Sequence, residues 1–173
     1  ATPALLELGA TKAAGSQIFS NPTLLFLGWL EKEKGIFELL DACLDVSKMF
    51  QFRLVIAGRG RAEQEARDFV IANCLQDCVE FVGWVQGVDK DDLLKKADVF
   101  LIPSKWEGFG LAAVEAMNAS LPCIVSNVPG LGDLIEIDGK DAFLVAPYDG
   151  IITRRMFEPS QQITSGQSVF EIE

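Results

Sequence analysis

The chain has 173 residues, with 15 Lys and Arg against 25 Asp and Glu, no histidine, and a formal net charge of −10. At 49% hydrophobic and 23% charged it is too apolar for disorder, and its length allows one folded domain, at most one and a half. The missing histidine excludes Ser-His-Asp and Cys-His machinery within this chain and zinc sites built on imidazole, and the acidic balance argues against a nucleic-acid or anionic-membrane partner.

Residues 1–21 are small and mildly apolar without a basic start; no signal peptide is visible and no element is assigned there. From Leu24 the pattern becomes regular. LLFLG at 24–28 reads as a short strand ending in glycine. Ile36, Leu39, Leu40, Cys43 and Leu44 then fall on one face of a helix. FRLVIA at 52–57 predicts a second strand, 61–75 a helix, and 79–83 a third strand. DKDDLLKK at 89–96 predicts a short helix with acids first and lysines last, as the helix dipole prefers. Strands at 99–102, stopped by Pro103, and at 122–126 flank a helix at 111–118. A short helix at 131–137 and a sixth strand at 143–145 complete the pattern.

Strands and helices alternate, and the strands are near-continuously apolar. That predicts an α/β domain over 22–147, a three-layer Rossmann-like parallel sheet with helices on both faces. Beyond Val145 the helical period stops. Strand-like runs at 151–154 and 168–172 alternate with Asp149-Gly150, Pro159-Ser160 and Ser165-Gly166, which predicts a short β- and turn-rich C-terminal tail at 148–173. Of the four cysteines only Cys74 and Cys78 are close, at a spacing of one helical turn, while Cys43 and Cys123 sit in apolar runs. The set reads as buried or half-buried free thiols, which suits a reducing, cytoplasmic setting. No apolar run approaches the ~20 residues of a membrane span.

Four loops follow strands: GWLEKEKG at 28–35, GRGR at 58–61, the segment 83–88, and PSKWEGFGL at 103–111. They fall at the carboxyl ends of the strands, where open α/β sheets bind ligands. The last loop is the most informative. Glu107 precedes Gly108-Phe109-Gly110 at a helix entrance, where backbone N–H groups and the helix dipole favour an anion. Glu115 lies two turns further on and shares the ligand-facing side. A carboxylate beside such a helix start suits sugar hydroxyls as donors to it. Taken alone, the two glutamates would read as solvated carboxylates around a tight turn.

The surrounding string, KADVFLIPSKWEGFGLAAVEAMNASLPCIVSNVPG, resembles the signature of the large retaining glycosyltransferase family with the two-lobed GT-B fold (family 4, group 1 type). LFLGWLEKEKGIFELLDA at 25–42, LVIAGRG at 54–60 and VEFVGWV at 79–85 match it in the right order. The resemblance implies the C-terminal, nucleotide-sugar-binding lobe of such an enzyme. Glu107 would hold donor-sugar hydroxyls, and the N–H groups around Gly108, Phe109, Gly110 and Leu111 the sugar or diphosphate. Glu115 would bind the ribose, and the backbone around Trp84 and Val85 would touch the nucleobase. Gly28 would let the first loop approach the phosphates. Lys34, counted as catalytic along with Glu107, would neutralise the leaving diphosphate. The donor would then be a nucleoside-diphosphate sugar, with no cofactor and no metal, in keeping with the lack of an Asp-x-Asp pair in a ligand loop. The acceptor-binding N-terminal lobe would be the missing partner, so the isolated chain is expected to bind donor without transferring sugar. Membrane association of the full enzyme stays open.

The chain departs from the family pattern at Trp29, where arginine is usual; Arg59 would compensate. It departs again at Ser120 and Ala142, where glycine is usual, and at Asp133, where glutamate is common. The tail, APYDGIITRRMFEPSQQITSGQSVFEIE, is similar to the second half of the lipoyl-like domain of membrane fusion proteins, without a lysine for attachment. A terminal hairpin and a chimeric junction near 145–147 are the two readings of it. Two other function classes remain in view. A generic dinucleotide-binding domain would need a third glycine at position 63, which is Glu63. A non-catalytic scaffold would use the tail as an interaction module.

Overall fold

The computed structural model describes residues 21–131, together with the strands Ala142–Val145, Ile152–Arg155 and Phe170–Ile172. Strand β1 (Thr23–Leu27) is followed by a 3-10 turn (Lys32–Lys34) and helix α1 (Ile36–Val46). Then come β2 (Arg53–Ala57), α2 (Glu63–Ala72), β3 (Val79–Gly83), α3 (Val88–Lys96), β4 (Val99–Ile102), α4 (Leu111–Asn118), β5 (Cys123–Ser126) and β6 (Ala142–Val145). The six strands form one parallel sheet in the order β3-β2-β1-β4-β5-β6. The expected Rossmann-like architecture is therefore the observed one. In the tail, β7 (Ile152–Arg155) and β8 (Phe170–Ile172) pair antiparallel as a separate two-stranded sheet.

Alternate residues of each strand point to opposite faces, and the two faces are two cores. Leu24 and Phe26 of β1, Leu54 and Ile56 of β2, and Leu101 of β4 pack with α1 and α2 through Leu40, Cys43, Ala66 and Val70. Leu25, Leu27, Val55, Ala57, Phe100 and Ile102 pack on the other face with Leu94 of α3 and Ala113 and Ala116 of α4. Central strands buried on both faces explain why their sequences read as unbroken apolar runs. Phe100 has no exposed surface, and truncating such a side chain to Ala removes about 3–5 kcal/mol.

One helix end moves inward for a physical reason, and a second helix closes by the same device. The helix expected over 61–75 spans Glu63–Ala72, and it ends at Ala72 because Cys74 adopts φ 54° and turns the chain out of the helix. The Cys74 N–H donates to the Ile71 carbonyl (3.2 Å) and the Leu75 N–H to the Val70 carbonyl (2.9 Å). Helix α4 ends the same way at Ser120, φ 58°, with the Ser120 N–H on the Met117 carbonyl (2.9 Å) and the Leu121 N–H on the Ala116 carbonyl (3.0 Å). Both are Schellman caps with a buried leucine just past the left-handed residue, a place that usually carries glycine. Cys74 and Cys78 are consequently not a turn apart on one helix, and Cys74 is exposed, against the expectation of burial. Cys43 and Cys123 are buried free thiols and Cys78 is half-buried. Burial pushes the Cys43 thiol from 9.0 up to about 12, with the Cys78 thiol adding to the effect. Burial, then the charge of Asp77, also raise the Cys78 thiol. The expected helix at 131–137 and Asp133 lie outside the described residues, apart from Leu131 in a turn. Of the remaining expected elements, Val79–Gly83, Val99–Ile102 and Leu111–Asn118 appear with the expected bounds, and the others with ends shifted by a residue or two.

Candidate functional site

The chain steps outward from β1 to β2 to β3, then returns to the other side of β1 for β4, β5 and β6. At such a reversal the loops after the two central strands lean apart and leave a crevice at the carboxyl end of the sheet. Those loops are 28–35 after β1 and 103–110 after β4. The Lys105 N–H donates to the Glu33 carbonyl at 2.8 Å and ties one to the other. Gly35 sits against Pro103 so tightly that a Cβ would lie 1.8 Å from the Pro103 carbonyl oxygen. Its φ of 72° caps the 3-10 turn and starts α1, so the turn that carries Lys34 is fixed from both sides.

Lys34 and Glu107 meet in this crevice. The Lys34 Nζ donates to Glu107 Oε1 at 2.7 Å, with the side chains 22% and 17% exposed. The Ser104 hydroxyl, buried in the same loop, donates to that oxygen at 2.9 Å. Among the described residues Glu107 Oε2 accepts no hydrogen bond. The lysine resolves the awkward placing of a carboxylate near a helix start by supplying a local countercharge. Just beyond, Gly110 at φ 70° opens α4. The N–H groups of Phe109, Gly110 and Leu111 donate to no acceptor among the described residues. Phe109 and Leu111 hold their side chains out in solvent beside them.

Glu115 is held by a different lysine. The Lys90 Nζ, in the first turn of α3, donates to Glu115 Oε1 at 2.6 Å. The pair lines an open cleft of about 400 Å³ between α3 and α4, with Leu94 and Asn118.

The loops after β1, β2 and β3 are zipped together. The Gly28 N–H donates to Ala57 (3.1 Å), the Leu30 N–H to Arg59 (2.9 Å) and the Gly58 N–H to Gly83 (2.8 Å), each to the carbonyl. A Cβ on Gly58 would lie 1.8 Å from the Gly28 carbonyl oxygen, so this approach requires glycine. The zipper sets three side chains together at the sheet edge. The Trp29 and Trp84 rings are 5.1 Å apart between centroids, and the Arg59 guanidinium lies 5.7 Å from one and 5.2 Å from the other. Contacts of this type are worth about 0.5–1 kcal/mol each at exposed sites. Val85, next along, is half-buried against the second core.

The structure thus joins Lys34 with Glu107 and sets Glu115 in a second pair. Sequence reasoning missed Ser104 and Lys90. A lysine breaking an acids-first helix turn was the one local sign of Lys90; Ser104 stood only as one letter of the PSKWEGFGL string, with no role attached. Among the described residues no three His, Cys, Asp or Glu side chains converge as a metal set, and no helix is long and apolar enough to cross a membrane.

The model of the family Glycosyl transferases group 1 matches residues 14–151. The chain belongs to this family. This glycosyltransferase domain is 39% identical over 118 residues to an uncharacterized glycosyltransferase of Methanocaldococcus jannaschii, covering 67% of this chain and 30% of the relative. It spans about a third of the length of the curated relatives it matches. The Anabaena protein HepE, solved in complex with UDP and glucose, superposes with a TM-score of 0.65 at 25% identity, over 74% of this chain and 35% of that one. The C-terminal domain of a group 1 glycosyl transferase, LpcC of Francisella tularensis, superposes with a TM-score of 0.63 at 25% identity, over 73% and 68% of the two chains.

Proposed function

We propose that this glycosyltransferase domain is the donor-binding lobe of an enzyme that transfers a sugar from a nucleoside-diphosphate sugar to an acceptor with retention of configuration. The observation that carries the reading is the Lys34–Glu107 pair at the strand-order reversal, beside three undirected backbone N–H groups at the start of α4. A diphosphate laid on those N–H groups meets the helix dipole and the Lys34 ammonium. Lys34 then stabilises the charge that grows on the leaving diphosphate, a task it performs without a metal ion. Glu107 Oε2 accepts from sugar hydroxyls while Ser104 and Lys34 hold Oε1. Glu115, near α3, accepts from the ribose, and Val85 and Trp84 border the base. Gly28 leaves the first loop open to the phosphates. The UDP held by the Anabaena neighbour supports the donor class.

The donor-binding unit is assigned to 22–147 and the tail to 148–173 as a separate piece, which the pairing of β7 with β8 alone supports. The likeness to a solved C-terminal domain supports an acceptor-binding lobe lying elsewhere in the full protein. Alone, the domain binds donor and lacks the second wall of the cleft that excludes water.

Calorimetry with UDP, GDP and ADP and their sugars tests this. Saturable 1:1 binding of one nucleotide class, retained in chelator and weakened by Glu115→Ala, is expected. Absence of binding to all three nucleotides, with NADH bound instead, overturns it in favour of a dinucleotide domain.

A further inference from the structure

We propose that Arg59, held by Trp29 and Trp84, is a diphosphate-binding residue of the donor site; this rests on the donor-binding reading above. The loops at the carboxyl edge hold several cations, but most are committed. Lys34, Arg61, Lys90 and Lys105 lie against Glu107, Glu31, Glu115 and Glu38. Arg59 differs. Among the described residues its guanidinium has no carboxylate partner and rests on two indole rings. Its charge is therefore uncompensated within a chain of net charge −10.

The indoles do two things. Their faces attract the cation without donating or accepting its hydrogen bonds, so the N–H fork stays available to an anion. They also restrict a side chain that would otherwise sample many rotamers in water, which reduces the entropy lost when a ligand is clamped. The backbone beneath is rigid, because Gly58 is pressed on Gly28 and the Arg59 carbonyl accepts from Leu30. Lys34 follows β1 and Arg59 follows its neighbour β2, and in the proposed mode both cations engage one diphosphate laid across these adjacent loops. A planar fork suits two phosphate oxygens at once, which a lysine cannot match.

The test titrates the full chain with UDP, GDP and ADP, then with the monophosphate and nucleoside of whichever binds, reading heat and tryptophan fluorescence. Arg59→Ala is expected to weaken the diphosphate about tenfold or more, the monophosphate less and the nucleoside hardly at all. Arg59→Lys should restore part of the loss, and Trp29→Ala should weaken the diphosphate by a smaller factor through a less ordered Arg59. Thermal melting of Arg59→Ala should match the parent, since the side chain is exposed. An unchanged diphosphate affinity in Arg59→Ala overturns the proposal and leaves the donor reading standing. So does a loss equal for nucleoside and diphosphate, which would make the cluster a stacking surface. A parent chain that binds none of the nucleotides overturns both.

Discussion

At the carboxyl end of the sheet the turns run on glycine, and the side chains there are paired charges and exposed aromatic rings. At the amino end the helices α2 and α4 close on left-handed residues that are not glycine, Cys74 and Ser120, each sealed by a buried leucine. The carboxyl-end glycines answer to backbone packing: Gly35 against Pro103, Gly58 against Gly28. No such contact forces the amino-end residues, where the chain carries a local conformational cost and stays folded. Glycine is thus kept where a Cβ would break the crevice and replaced where a Cβ only strains a cap. Each end should therefore respond oppositely to exchange of glycine and a larger residue.

The largest effect is expected from Gly35→Ala. The added Cβ would overlap the Pro103 carbonyl at 1.8 Å and sit at φ 72°. Relief requires the loops after β1 and β4 to separate, which dismantles the crevice and exposes part of both cores. A loss of about 3 kcal/mol or more is expected, a large fraction of the roughly 5–15 kcal/mol that holds a domain folded. Urea unfolding checks it; a variant with native midpoint would show that the two loops are not locked.

The thiols extend the contrast at the closed end. Cys43, pushed up to about 12, should be alkylated roughly a thousandfold more slowly than an ordinary thiol at pH 8, from the loss of thiolate alone. Exposed Cys74 should label first in a mass-resolved time course. The sign for stability follows from the raised value. The neutral Cys43 thiol favours the fold in full below pH 9, and that contribution is lost as the pH rises through about 12. Prompt labelling of Cys43 at pH 8 would mean that the amino end opens readily.

At the carboxyl end the two members of the ion pair should separate by ligand. Lys34→Ala removes countercharge to the diphosphate and should weaken both nucleoside diphosphate and nucleotide sugar by about 10–100-fold, the range of a lost charge-assisted bond. Glu107→Gln should leave the bare diphosphate within a few-fold and weaken the nucleotide sugar more. Calorimetry on both ligands decides. Equal losses for both ligands in Glu107→Gln would mean that the carboxylate serves only to hold Lys34.

Much of this was legible in the sequence, for reasons that differ by region. The strands were plain because both faces of the sheet are covered, so 24–27, 54–57 and 99–102 carry unbroken apolar runs. Lys34 and Glu107 stood out singly, each after a strand. Their pairing did not, because it joins positions 73 residues apart through a strand order that reverses between β1 and β4. Lys90 was hidden for the same reason, its partner Glu115 being chosen by the packing of α3 against α4; Ser104 is only three residues from Glu107, but a serine at that spacing shows no pairing until the loop is folded. The end of α2 was misplaced because the residue that turns the chain is Cys74 and carries no glycine signal.

That last point yields the smallest effect. Ser120 stands where the family pattern has glycine, and the structure shows why the pattern prefers it: φ is 58° at the position after the α4 cap. A residue with a Cβ loses roughly 1–2 kcal/mol in this conformation relative to glycine. Glycine returns some of that by being freer in the unfolded chain. Ser120→Gly should therefore stabilise the fold by about 1 kcal/mol, a rise of ~2–4 °C in melting temperature for a chain of this size. Cys74→Gly should act alike at the α2 cap, and the two should add, since they belong to separate caps that share no partner. Donor affinity should stay unchanged in both, because neither cap takes part in the loops at the carboxyl end. A fall in affinity with a rise in stability would show that the ends are coupled through α4, whose start carries the undirected N–H groups and whose end carries Ser120.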